Sequence, residues 1–159
     1  MNIDSINRII SIVLGVIIIG LGYWLYHSIV DPYQEVLEKE QMTKKTRYRM
    51  GNIRDALIRY ERKTDSFPPT EGGLDTLVHY LKTDSVMKLQ ADSLFQPLNS
   101  AKEFNPDTLI HSPRPPHKRF EYTLNDTLNP PIYLLKDPDT EDKVGSLEST
   151  TDLNAGSWE

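Results

Sequence analysis

Asp137, Asp139, Glu141 and Asp142 place four carboxylates within six residues, the densest group of oxygen donors in the sequence. Hard cations take clustered carboxylate oxygens, so calcium is the chemistry this stretch suggests. No glycine stands where an EF-hand loop needs one, and the competing reading is a solvated acidic turn around Pro138. The four histidines, His27, His79, His111 and His117, share no H-x-x-x-H or H-E-x-x-H spacing, which argues against zinc. No G-x-S-x-G, phosphate-binding loop or dinucleotide fingerprint occurs. Asp65 and Glu71 flank a proline corner, where carboxylates usually act as caps. The absence of cysteine removes thiol catalysis, disulfides and thiolate metal sites. The expectation is a protein that is not an enzyme and has no small-molecule substrate. Calcium is the one cofactor left to consider.

Whatever these groups do, a short scaffold carries them. The chain has 159 residues and a net charge of -5, mild and mixed in sign. No stretch interleaves aromatics with a basic face, so nucleic acid is not an expected partner. "IISIVLGVIIIGLGYWLYHSIV", Ile9 to Val30, runs for 22 residues without an acid or formal cation. A helix of that length reaches roughly 33 Å, enough to cross a bilayer. Tyr23, Trp24 and Tyr26 gather toward one end, as interfacial aromatics do. The run is longer than a signal-peptide core and no A-x-A-like cleavage site follows, so a retained anchor is expected. Ser11, Gly15 and Gly22 fall on one face of this helix. Small residues let helices approach closely in lipid, although glycine is also common in membrane helices generally.

Beyond the span, Asp31-Pro32 reads either as a helix start or as a kink at the membrane surface. Glu35 with Lys39, Glu40 with Lys44 and Asp55 with Arg59 are acid-before-base pairs at i, i+4, which support a solvated helix. Met50, Ile53, Leu57 and Tyr60 form one apolar stripe, so the second half of that helix packs on something. Residues 39–49 have almost no stripe and read as a stalk, which Gly51 could bend. Phe67-Pro68-Pro69 forces an extended corner. Leu74, Leu77, Val78 and Leu81 then mark a short amphipathic helix, with weaker helical character continuing after it. From Pro97 to Pro138 the chain holds eight of its eleven prolines and reads as long loop. "RFEYTL" and "IYLLKD" are strand-like and flank a turn-rich connector, a hairpin pattern. A last strand is expected in "KVGSLE", and Trp158 should be tucked against the sheet or a neighbour.

"IRDALIRYERKTDSFPPTEGGLDTLVHYL" resembles the core of the major pseudopilin of type II secretion systems, a type IV pilin-like family. Tyr60 matches the family's helix tyrosine and Phe67-Pro68 its aromatic-proline corner. Thr70 to Leu74 match its glycine-containing turn, and Leu77 the leucine that follows. The match covers about thirty residues; the rest agrees in the order of elements. The resemblance implies an α+β fold: a transmembrane helix continuing into a long helix packed on a small antiparallel sheet. It also implies a faint echo of the family's calcium loop at Asp137, Asp139 and Asp142. The N-terminus departs from the family, with no glycine-phenylalanine junction and no acid inside the apolar run. An uncleaved anchor is therefore expected.

Three regions follow: residues 1–30 with the transmembrane helix, a helical stalk at 31–49, and a pseudopilin-like domain at 50–159 with a proline-rich loop at 97–118. The corner residues Phe67, Pro68, Pro69, Gly72, Gly73 and Leu74 are read as structural, with Thr70 or Glu71 capping the next helix. By resemblance the chain is a structural subunit of a bacterial envelope machine for secretion, pilus-like assembly or gliding. It would sit in the inner membrane with its C-terminal domain in the periplasm. Its partners would be lipid and other envelope subunits of a larger assembly. A count of bases alone points the other way, since Lys39, Lys44, Lys45, Arg47 and Arg49 follow the span. The alternative is an accessory single-pass subunit of a motor, respiratory or transport complex. A proton-carrying role would need an acid within the membrane, and Asp4 and Asp31 both lie outside the run.

Overall fold

The apolar run lies within one helix, α1, which spans Ile3–Thr64 in a computed structural model that describes residues 3–96 and 104–159. The helix passes through Pro32, so Asp31-Pro32 does not start a helix. Proline at that position removes one backbone donor to the carbonyl of Ser28. Helical residues on both sides keep the chain helical all the same. Lys39 pairs with Glu35 as its spacing suggests, at 2.7 Å. Asp55 instead takes its neighbour Arg54 rather than Arg59.

The chain divides into two compact units, Met1–Gln41 and Met42–Glu159. In the first unit the most apolar 18-residue window has a mean hydropathy of 2.3, and none of it is buried within the protein. Leaving such a surface in water is unfavourable. The segment is long and apolar enough to cross a membrane, and it fits a single-pass membrane protein.

The second unit is α+β. After the corner come α2 (Gly73–Thr83), α3 (Ser85–Leu94) and α4 (Pro106–Leu109), then β1 (Glu121–Asn125), β2 (Ile132–Lys136) and β3 (Lys143–Gly145). The strands form an antiparallel sheet in the order β1-β2-β3, with Tyr122 opposite Leu135 and Leu135 opposite Val144. The hairpin is the one that alternation predicts.

The core forms where the apolar stripes meet. Met50, Ile53 and Leu57 are fully buried, and Tyr60 packs against them. Leu74, Leu77, Val78 and Leu81 of α2 join that cluster, as do Tyr122, Tyr133, Leu135 and Val144 of the sheet. Each buried side chain of this size contributes about 1.5–3 kcal/mol by leaving water.

Three breaks are set by local chemistry. Asp84 ends α2 and caps α3, its carboxylate accepting from the amides of Val86 (3.0 Å) and Met87 (2.9 Å). That is why the weaker helical stretch is a separate helix. Asn105 accepts from the Asp107 amide at 2.9 Å, and Pro106 occupies the first turn, so α4 forms inside the proline-rich stretch. Residues 97–103 of that stretch lie outside the described residues. Gly145 ends β3 at φ 81; a Cβ there would lie 2.2 Å from the Tyr133 carbonyl oxygen, so only glycine fits. The expected strand over residues 143–148 therefore stops after three residues.

Candidate functional site

The corner leaves α1 through Asp65, which adopts a left-handed conformation at φ 57. Phe67 is 9% exposed, and its ring lies 5.0 Å from that of Tyr133. Pro68 is buried and Pro69 exposed. The Pro68 carbonyl accepts a hydrogen bond from the Tyr122 hydroxyl at 2.9 Å. The same tyrosine ring crowds Gly73, where a Cβ would meet Tyr122 Cε1 at 2.9 Å. Gly72 is left-handed at φ 68, and Leu74 is in the core.

No side chain caps α2, so neither Thr70 nor Glu71 does what the sequence suggests. Thr70 turns to the sheet instead: its hydroxyl accepts from the Leu124 amide at 2.9 Å and lies 3.3 Å from the Leu124 carbonyl. Glu71 is exposed. Every group at the corner that faces the protein interior serves packing or backbone pairing.

The acidic turn has a different economy of charge. Asp142 is 8% exposed and accepts two hydrogen bonds from Arg47, both at 2.9 Å. This pairing raises the Arg47 guanidinium above its ordinary value. Arg47 also lies over the Trp158 ring, 5.4 Å from its centroid, which brings Trp158 against the core as expected. Asp139 pairs with Lys118. Asp137 is fully buried; one oxygen accepts from the Thr140 hydroxyl at 2.7 Å and the other has no hydrogen-bond partner. One oxygen of Asp139 is likewise without one. Glu141 is exposed.

A calcium site needs these oxygens to converge. Among the described residues, no group of three or more histidine or acidic side chains is arranged to hold a metal. Asp137, Asp139 and Asp142 are therefore not gathered into such a group in this structure. Asp142 is taken by Arg47 and Asp139 by Lys118, so the chain's own cations neutralise two of the three carboxylates. The sequence signal that was missed lay on α1, in a base more than ninety positions before its partner.

In the membrane-spanning segment the Ser11 hydroxyl bonds to the carbonyl of Asn7 in its own helix, at 2.9 Å. At Gly15 and Gly22 an added Cβ would meet nothing within 4 Å. The small-residue face is thus bare in the isolated chain.

Comparison with known proteins gave no matching family model, no matching curated protein and no matching solved structure. The class is accordingly set by architecture: a small α+β unit on a chain with one N-terminal helix able to span a bilayer.

Proposed function

We propose that this chain is a non-enzymatic, membrane-anchored structural subunit of a bacterial envelope machine, for secretion, pilus-like assembly or gliding. It is held in the inner membrane by α1, with the α+β unit in the periplasm. The observation that carries this reading is the bare apolar helix on the same chain as a small unit whose polar groups mostly maintain the fold. The resemblance of residues 53–81 to the pseudopilin core adds the kind of machine. One observation favours a second reading, an accessory single-pass subunit of a motor, respiratory or transport complex. The apolar run from Ile9 to Val30 carries no acid, which a pilin-like subunit would have within its span.

Mild detergent extraction followed by native mass measurement separates the two. A repeated, open-ended stoichiometry supports the envelope machine. A fixed low copy number in a defined complex supports the accessory subunit. A chain that runs alone under every extraction condition would remove both.

A further inference from the structure

Residues 146–159 contribute no buried side chain to the α+β unit, since the one buried position among them is Gly156. Leu153 and Trp158 pack against the core but stay half-buried. Polar contacts hold the segment instead. On the sheet, the Gly145 amide donates to the Ala155 carbonyl at 3.0 Å and the Ser157 amide to the Lys143 carbonyl at 2.8 Å. The Lys143 amide donates to the Ser157 hydroxyl at 3.0 Å, and the Tyr133 hydroxyl to the Asn154 side-chain oxygen at 2.9 Å.

On α1, two arginines seven positions apart share a face and grip the same segment. Arg47 lies over the Trp158 ring. Arg54 donates to the Glu159 carboxylate at 3.0 Å and to the Asn154 carbonyl at 3.4 Å. The Gly156 amide and Arg54 hold the Glu159 carboxyl below the usual carboxylate range, so this pair is charged at neutral pH.

The segment is also bonded to itself. The Ala155 amide donates to the Asp152 carbonyl at 3.2 Å, the Glu159 amide to the Gly156 carbonyl at 3.0 Å, and the Gly156 amide to the Glu159 carboxylate at 3.3 Å. The Trp158 indole folds over Gly156, where a Cβ would lie 2.8 Å from Cε2. Residues 152–159 are thus a compact turn with its own internal bonds.

Buried apolar surface is the main resistance to opening, and this segment supplies little of it. Segments of that kind open locally at a cost well below global unfolding. The Arg54–Glu159 pair has side chains 25% and 51% exposed, so salt screens it.

We propose that residues 152–159 are a salt-released strap, which lifts from α1 and β3 as one piece while the core stays folded. Closed, the strap walls a groove of about 250 Å³ over Gly51, where an added Cβ would meet nothing within 4 Å. Open, it leaves Arg54 to its neighbour Asp55 and Arg47 to Asp142. The strap goes beyond the subunit reading and does not depend on it.

Hydrogen exchange of the full chain in micelles of a non-ionic detergent, followed by nuclear magnetic resonance, tests this. The Gly145 and Ser157 amides should share one protection factor, at least roughly tenfold below those of the central strand β2. Raising sodium chloride from about 0.1 to about 1 M shortens the screening length from about 10 to about 3 Å. It should lower both protection factors roughly threefold and leave β2 unchanged. Glu159→Gln should lower them by a similar factor and remove the salt response. Gly156→Ala sets a methyl against the indole and should loosen both amides again, with β2 still protected.

Gly145 and Ser157 amides as protected as β2 would mean that the segment leaves only on global unfolding, which overturns the proposal. Loss of protection at Ser157 alone is fraying of the last residues and overturns it too. Exchange that ignores both salt and Glu159→Gln would show that the ion pair does not hold the strap, and overturns it as well.

Discussion

The Tyr122 hydroxyl donates to the carbonyl of Pro68 at 2.9 Å, across 54 positions of sequence and inside the core. One side chain thereby fixes the corner to the first strand. Tyr122→Phe leaves the Pro68 carbonyl buried without its donor and should cost about 1–3 kcal/mol. Denaturant unfolding of the two proteins in the same detergent measures it. An unchanged midpoint would mean the bond adds nothing net.

Burial raises the phenols of Tyr122 and Tyr133 above the ordinary tyrosine value. The folded state then keeps protons that the unfolded chain releases. The stability is present in full below the ordinary value of about 10 and is lost as pH rises through the raised folded values. Unfolding midpoints should be level up to about pH 10 and fall beyond it. The fall should be shallower in Tyr122→Phe, and a variant curve parallel to wild type would assign the loss to other groups.

Phe67 fills the space beside Tyr133 at the turn out of α1. Phe67→Ala should destabilise the protein by roughly 3–5 kcal/mol, as truncation of a buried aromatic does. Glu71 is exposed and caps nothing, so Glu71→Gln should change neither the melting temperature nor complementation in cells. A stable Phe67→Ala together with an inactive Glu71→Gln would make the corner a contact site.

Arg47 and Asp142 make a two-point ion pair, with the carboxylate 11% and the arginine 39% exposed. That places the pair between a buried and a solvated one, so Arg47→Ala should cost about 1–2 kcal/mol. Millimolar calcium should leave the wild-type melting temperature where it is, because a ligand stabilises only what it binds. A rise with calcium would show that the aspartates exchange their cation partners for metal.

The proposed topology is checked by a single cysteine at the exposed position 150. Thr150→Cys should react with an impermeant thiol reagent once the outer membrane is opened and the inner membrane is intact. Labelling that needs the inner membrane to be breached would put the α+β unit in the cytoplasm, as the base count suggests.

What could be read from the residues was what repeats. Leu74, Leu77, Val78 and Leu81 announce their helix because burial recurs every turn, and the β1–β2 hairpin shows in its alternation. Asn105-Pro106 and Asp84 carried readable start signals, yet the prolines around the first and the helical continuity around the second hid them. The Arg47–Asp142 pair could not be read at all. It joins residues 95 positions apart, and no periodicity links a lone base to a lone acid. The same holds for Thr70 and Leu124. Where the acidic turn looked like a metal site, only the fold could reveal which cations had already reached it.

The sheet has a consequence of its own. Along β3, the Gly145 amide donates to the Ala155 carbonyl at 3.0 Å, and the Ser157 amide donates to the Lys143 carbonyl at 2.8 Å. Ahead of β1, the Phe120 amide donates to the Ile110 carbonyl at 3.0 Å, and Thr70 occupies the backbone at Leu124. Both borders are thus partly occupied from within the chain, and an unblocked border is what lets proteins zip together strand to strand. At those positions another chain finds no free backbone group to pair with, so extension of the sheet across molecules is disfavoured there.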